Sequence, residues 1–258
     1  MTPDNPTSPR GLSITDAVQE NTCPEHKGAM YSFLSIAAIV ILLLVFVSYR
    51  YPSVGHLLAW DEAMTVCTVR SFAAGGQDDF SNWFWRHPPA YCMLMLLLKP
   101  LNSGLAVRAE LLSLSIAAIN FILLFVLNRR IFGTATAIWG CFFLAVMPGA
   151  VFFDTWIKGD QMVATFGLLS ILLMVHGRVL YAAFSLGLAF LCKETALFYA
   201  GALFLLWLSE IHGKRTARDL LALVLVPMIA SGWWYALVAF TGKIHSLTAI
   251  GIGQHISF

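Results

Sequence analysis

Asp61 and Glu62 stand side by side in the segment AWDEAMT, and Arg86 and His87 stand side by side in SNWFWRHPPAY. Lys158 and Asp160 follow Asp154 in DTWIKGDQ, and Lys193 and Glu194 interrupt the apolar run GLAFLCKETALF. Ionisable groups at or near membrane depth are costly to keep and are functional candidates by default. No HExxH, glycine-rich phosphate loop or GxSxG occurs, so any chemistry falls to these acids and cations. Each has a plainer reading. Asp61 could cap a juxtamembrane helix near its positive end. Asp78-Asp79 follows Gly75-Gly76 as a solvated turn would. Arg86-His87 could form an elbow, since Pro88 restricts His87 to extended geometry. Lys158 and Asp160 could pair across a loop end, and His245 and His255 could be solvated loop histidines. Lys193-Glu194 is harder to dismiss, because no turn residue stands beside it.

The elements that must position these groups are helices in a membrane. Of 258 residues, 59% are hydrophobic and only 12% charged; with a mean hydropathy of +0.76, the chain lacks the polar surface of a soluble domain, where about 25% of residues are charged. A net charge of +2 is too small to argue for nucleic acid. The five cysteines are scattered, without CxxC spacing, and read as small hydrophobes with free thiols. Residues 1–29 are polar at first, with no early apolar run, and read as a disordered cytoplasmic tail.

A bilayer core of about 30 Å needs roughly 20 apolar residues in a helix. Met30–Tyr49 is the clearest span, followed by a polar outer loop over 50–89. Tyr91–Leu101 is apolar but too short to cross, and reads as an interfacial helix. Further spans fit Ala106–Leu127, stopping at Asn128-Arg129-Arg130, and Ala135–Phe153. Arg178 and Lys193-Glu194 divide Gln161–Leu208 into three short runs, and Leu220–Phe240 forms the last span. The expected architecture is an all-α, multi-pass helical bundle of about seven transmembrane helices with an outer juxtamembrane helical loop. With the tail in the cytoplasm, Arg129-Arg130, Arg178 and Lys214-Arg215-Arg218 fall inside. The loop at 50–89, Asp154–Asp160 and Lys193-Glu194 fall outside, so the costly polar residues converge on one face.

The order of these features resembles the GT-C-fold glycosyltransferases that use polyprenyl-phosphate sugars. That group includes the protein mannosyltransferases and lipid A aminoarabinose transferases. The resemblance runs from about Tyr49 to Leu208: an outer loop opening with Asp-Glu, HPP before an apolar helix, a span ending in NRRIFG, a late proline (Pro148) before an acid-bearing loop, and the helix GLAFLCKETALF. It implies sugar transfer from a polyprenyl-phosphate donor to a lipid, glycan or protein acceptor, with inversion, on the extracytoplasmic face of the plasma membrane. Asp61 would match the family's catalytic base and Glu62 would assist it. Arg86, His87, Lys158 and Lys193 would serve the donor phosphate. Asp160 would match the second-loop acid, with Glu194 beside it. No cofactor is fixed by the residues; a divalent metal ion is open, with Glu62 and His87 as candidate ligands and no diagnostic spacing. The family continues beyond a seventh span, so a GT-C-like catalytic module over 30–258 is expected to lack a C-terminal part. The rival class is a multi-pass transporter or flippase, which would favour mid-helix polar residues and repeated halves.

Overall fold

A computed structural model of the chain describes residues 28–55, 60–73, 88–97, 104–209 and 216–241; the side chains of 28–33, 60–62, 72, 73 and 152 are outside that description. Every regular element among the described residues is helical. Helix α1 (Gly28–Arg50) carries no charge before its final residue and closes in a 3₁₀ turn at Tyr51–Ser53. Short helices α2 (Trp60–Ala73) and α3 (Ala90–Leu97) follow. At eight residues α3 is about 12 Å long and cannot cross a bilayer.

Helix α4 (Leu105–Phe132) is longer than the expected Ala106–Leu127. The basic pair Arg129-Arg130 does not stop it, because cations suit the negative end of a helix. The stop is Gly133, whose φ of +89° is open to glycine and which donates its amide to the Arg129 carbonyl at 3.2 Å. The span expected over Ala135–Phe153 is two helices, α5 (Thr134–Val146) and α6 (Pro148–Phe153). Pro148 holds Met147 extended (φ −66°, ψ 117°) and has no amide to continue α5.

Helix α7 (Asp160–Val175) ends in a Schellman motif. Gly177 at φ +70° donates to Met174 O at 2.9 Å, and Arg178 donates to Leu173 O at 2.9 Å. Helix α8 (Val179–Phe190) then runs back along α7. Lys193 is fully extended, and a 3₁₀ turn at Glu194–Ala196 leads into α9 (Leu197–Leu208). The Lys193-Glu194 interruption is thus a true break between helices. Helix α10 (Ala217–Phe240) starts ahead of the expected Leu220, because Thr216 caps it by accepting the Asp219 amide at 3.1 Å.

Among the described residues three segments, Leu34–Ser53, Leu105–Phe132 and Ala217–Phe240, are long and apolar enough to cross a membrane, and the other apolar helices there are shorter. The chain is a helical membrane protein. Large apolar side chains point away from the protein along these helices, including Leu44, Phe198, Ile229 and Phe240. In hydrocarbon they need no protein partner, so the helices hold together through close packing instead. Ala182, Ala183, Gly187 and Ala189 give α8 a buried face of small residues, packed between α7 and α10.

Candidate functional site

Three of the segments singled out by their polar residues meet at one end of the α7–α8 hairpin. Ala90, directly after Pro88-Pro89, donates its amide to the Leu191 carbonyl at 3.0 Å. Gly159 lies so close to the same turn that a Cβ there would sit 3.0 Å from the Cys192 carbonyl and 3.8 Å from Tyr91 Cβ. Lys193 closes the junction by donating to both carboxylate oxygens of Asp160, at 2.8 and 3.0 Å. Beneath it is one apolar core: Val66 and Val69 of α2, Tyr91 and Met95 of α3, Ile157 of the loop, Met162 and Val163 of α7, and Cys192. Ile157 and Met95 are completely buried in it. The Tyr91 hydroxyl is hydrogen-bonded to Ser113 at 2.8 Å, which ties α3 to α4.

The same loop is held on its other side by Arg50. Pro148 has no amide, so the Leu144 carbonyl of α5 loses the helical donor it would otherwise have. Arg50 takes that place: one terminal nitrogen donates to Leu144 O at 3.0 Å, and the other to Ala145 O at 2.8 Å and Phe46 O at 3.1 Å. Its Nε donates to Asp154 at 2.6 Å, and the guanidinium lies 3.6 Å from the centre of the Phe46 ring. Gln161 donates to the other Asp154 oxygen at 2.9 Å and accepts from Asn120 Nδ2 at 3.0 Å. Every donor in this chain points toward the carboxylate, so the amide orientations of Gln161 and Asn120 follow from the charge of Asp154. The result is a buried polar line joining α1, the loop after α6, α7 and α4.

The rim is more open. Asp160 and Lys193 are exposed by 48% and 26% respectively, a setting in which an ion pair contributes at most about 1 kcal/mol and exchanges readily with another anion or cation. Lys158 lies 4.3 Å above the Trp156 ring, and Glu194 is exposed. Asp160 therefore pairs with Lys193, a partner on another turn, where a loop-end pair with Lys158 was one sequence reading. Asp61 and Glu62 occupy the first turn of α2, whose Val66 and Val69 enter the shared core; their side chains lie outside the described residues. Arg86, His87, Asp78, Asp79, His245 and His255 lie outside them as well. Among the described residues, no three His, Cys, Asp or Glu side chains gather as a metal site.

Arg50, Asn120, Gln161 and Glu110 were not among the residues that the sequence reading marked. Glu110 is buried on α4 and accepts the Gly55 amide. Both Glu110 and Asn120 lie inside an expected span, and their polarity there was the available signal. Arg50 had a signal too, as the first charge after a long apolar run.

Cys192, in the turn of the junction, is 2% exposed, and burial pushes its thiol up to about 12. A thiol raised in the folded state favours folding while protonated and loses that contribution as pH climbs from about 9 toward about 12. At pH 8 the native chain is expected to react slowly with maleimide at this position and rapidly once denatured, as peptide mass spectrometry would report. Fast native labelling would mean that the junction is open.

No protein-family model matches the chain, and comparisons with curated proteins and with solved structures gave no match.

Proposed function

We propose that the chain is the catalytic module of a membrane glycosyltransferase of the GT-C kind, moving a sugar from a polyprenyl-phosphate donor to a lipid, glycan or protein acceptor. The observation that supports this reading is the meeting of the HPP end, the Asp154–Asp160 loop and the Lys193-Glu194 turn at one junction, with α2 seated on the same core. In this reading α5 with α6, α7, α8 and α9 complete a seven-span bundle around the three long helices, and the junction opens on the extracytoplasmic face.

Asp61 removes the proton of the acceptor as the acceptor oxygen or nitrogen bonds to the anomeric carbon. The bond from that carbon to the phosphate oxygen breaks on the opposite side, so the configuration inverts. The electron pair leaves with the polyprenyl phosphate, and Lys158, Lys193, Arg86 and His87 stabilise the charge that gathers on it. Lys193 is held ready by Asp160, and Glu194 and Asp160 face the acceptor. Glu62 and His87 are the residues that would hold a divalent ion. In this reading the apolar helix α3 lines the groove in which the polyprenyl chain lies.

Membranes carrying the full chain, incubated with radiolabelled polyprenyl-phosphate sugars, test this directly. Asp61→Asn is expected to lower transfer on the order of 10²–10⁴-fold, the usual contribution of a general base. Equal transfer by wild type and variant would remove Asp61 as the base. Transfer by neither, with every donor offered, would count against the enzyme reading; the second reading, a transporter, has the mid-helix Asn120 and its part-buried polar line as its supporting observation.

A further inference from the structure

At the far end of the α7–α8 hairpin, helices α8 and α10 begin side by side and enclose a recess of about 470 Å³ lined by residues 177–181, Thr216, Arg218, Asp219 and Ala222. Two guanidiniums, Arg178 and Arg218, belong to its wall, and both residues are exposed. Among the described residues neither forms an ion pair. The acid in the wall, Asp219, is engaged elsewhere. Its carboxylate accepts the Thr216 hydroxyl at 2.6 Å, and its amide donates to that hydroxyl oxygen at 3.1 Å. The carboxylate thus holds the capping residue Thr216 and pairs with neither arginine, so the wall carries two positive charges against one negative.

We propose that this recess binds the phosphate headgroup of an anionic membrane lipid, independently of any sugar transfer. Guanidiniums present planar pairs of donors that match phosphate oxygens. Two features favour a lipid over a soluble phosphate. The recess sits at the start of Ala217–Phe240, a helix long and apolar enough to cross a membrane. The α8 wall also turns outward as Leu180, 60% exposed, and Tyr181, 64% exposed. An acyl chain leaving the headgroup would run along that apolar edge, and tyrosine is a common residue at the depth of headgroups. Basic residues near an anionic leaflet attract its lipids.

The test uses the full chain purified in a neutral detergent and offered phosphatidylglycerol or phosphatidylcholine, with bound lipid counted by native mass spectrometry. Retention of phosphatidylglycerol over phosphatidylcholine is expected, and each of Arg178→Gln and Arg218→Gln should lower it roughly five-fold, in line with the attraction of one basic side chain at an anionic surface. Arg178→Lys should keep part of it, because the charge remains while the paired donors of the guanidinium are lost. Raised salt should weaken retention in the wild type, since exposed charges are screened. Thermal unfolding of each variant confirms that the fold is intact. Equal phosphatidylglycerol retention by wild type and the double Gln variant would overturn the proposal. So would equal retention of both lipids, or displacement of the lipid by millimolar inorganic phosphate, which would assign the recess to a soluble ligand.

Discussion

Arg50→Met is expected to destabilise the protein by about 3–5 kcal/mol, the cost of breaking a buried ion pair from one side. The guanidinium is 0% exposed and satisfies four groups at once: Asp154, Leu144 O, Ala145 O and Phe46 O. Methionine matches its length but leaves the proline-orphaned Leu144 carbonyl without its donor and the Asp154 carboxylate with Gln161 as its one remaining donor among those described. Arg50→Lys should recover only part of the loss, because one ammonium cannot reach acceptors on three sides in the geometry of the guanidinium fork. The double variant Arg50→Met with Asp154→Leu should be more stable than Arg50→Met alone, since the uncompensated charge is removed. Melting temperatures in detergent, followed by size-exclusion fluorescence, read all three. An Arg50→Met protein within about 1 kcal/mol of wild type would mean that water reaches these carbonyls and the line is not buried.

Gly187→Val is the second large effect. A Cβ at this position would stand 2.6 Å from Ala230 Cβ and 3.1 Å from Pro227 Cα. The second contact is backbone, so no rotamer change relieves it and α8 must move away from α10. Overpacking of this sort costs about 1–3 kcal/mol, and in a membrane close approach is what holds such helices together. Combining Gly187→Ala with Ala230→Gly should restore part of the stability lost by Gly187→Ala alone, because the nearest clash disappears. Gly201→Ala is the matched control: nothing lies within 4 Å of that Cβ, and alanine favours a helix, so it should be neutral or slightly stabilising. If both glycines tolerate alanine equally, the α8–α10 contact is looser than described.

Much of the helical plan was legible from residues that act locally. Arg178 and Lys193-Glu194 mark helix ends because their polarity coincides with backbone features, a Schellman turn and an extended residue, that the chain needs there. Local signals failed where a distant partner decided the outcome. Pro148 was read as a late proline inside one span, whereas it divides that span, and the break is tolerable because Arg50 supplies the missing donor from α1. Arg129-Arg130 suggested a stop at Leu127, but the stop belongs to Gly133. The candidate site was legible as a set of segments, and less so as contacts. Asp160 chose Lys193 over Lys158, its neighbour in sequence, and the polarity of Asn120 inside a span did not disclose its partner Gln161, 41 residues away. Pairings between residues far apart in sequence leave no local periodicity to read.

The seat of Arg50 also imposes an order of assembly. Helix α1 leaves the ribosome with a cationic end that has Phe46 O beside it but lacks its more distant partners, since Leu144 and Asp154 lie 94 and 104 residues downstream. At synthesis rates of about 5–20 residues per second, that delay lasts roughly 5 to 20 s. Throughout it the arginine must stay hydrated at the membrane surface, because entering hydrocarbon alone is too costly. The end of α1 therefore gains its carboxylate and its α5 carbonyls as partners only once α5 and the loop beyond α6 have been made.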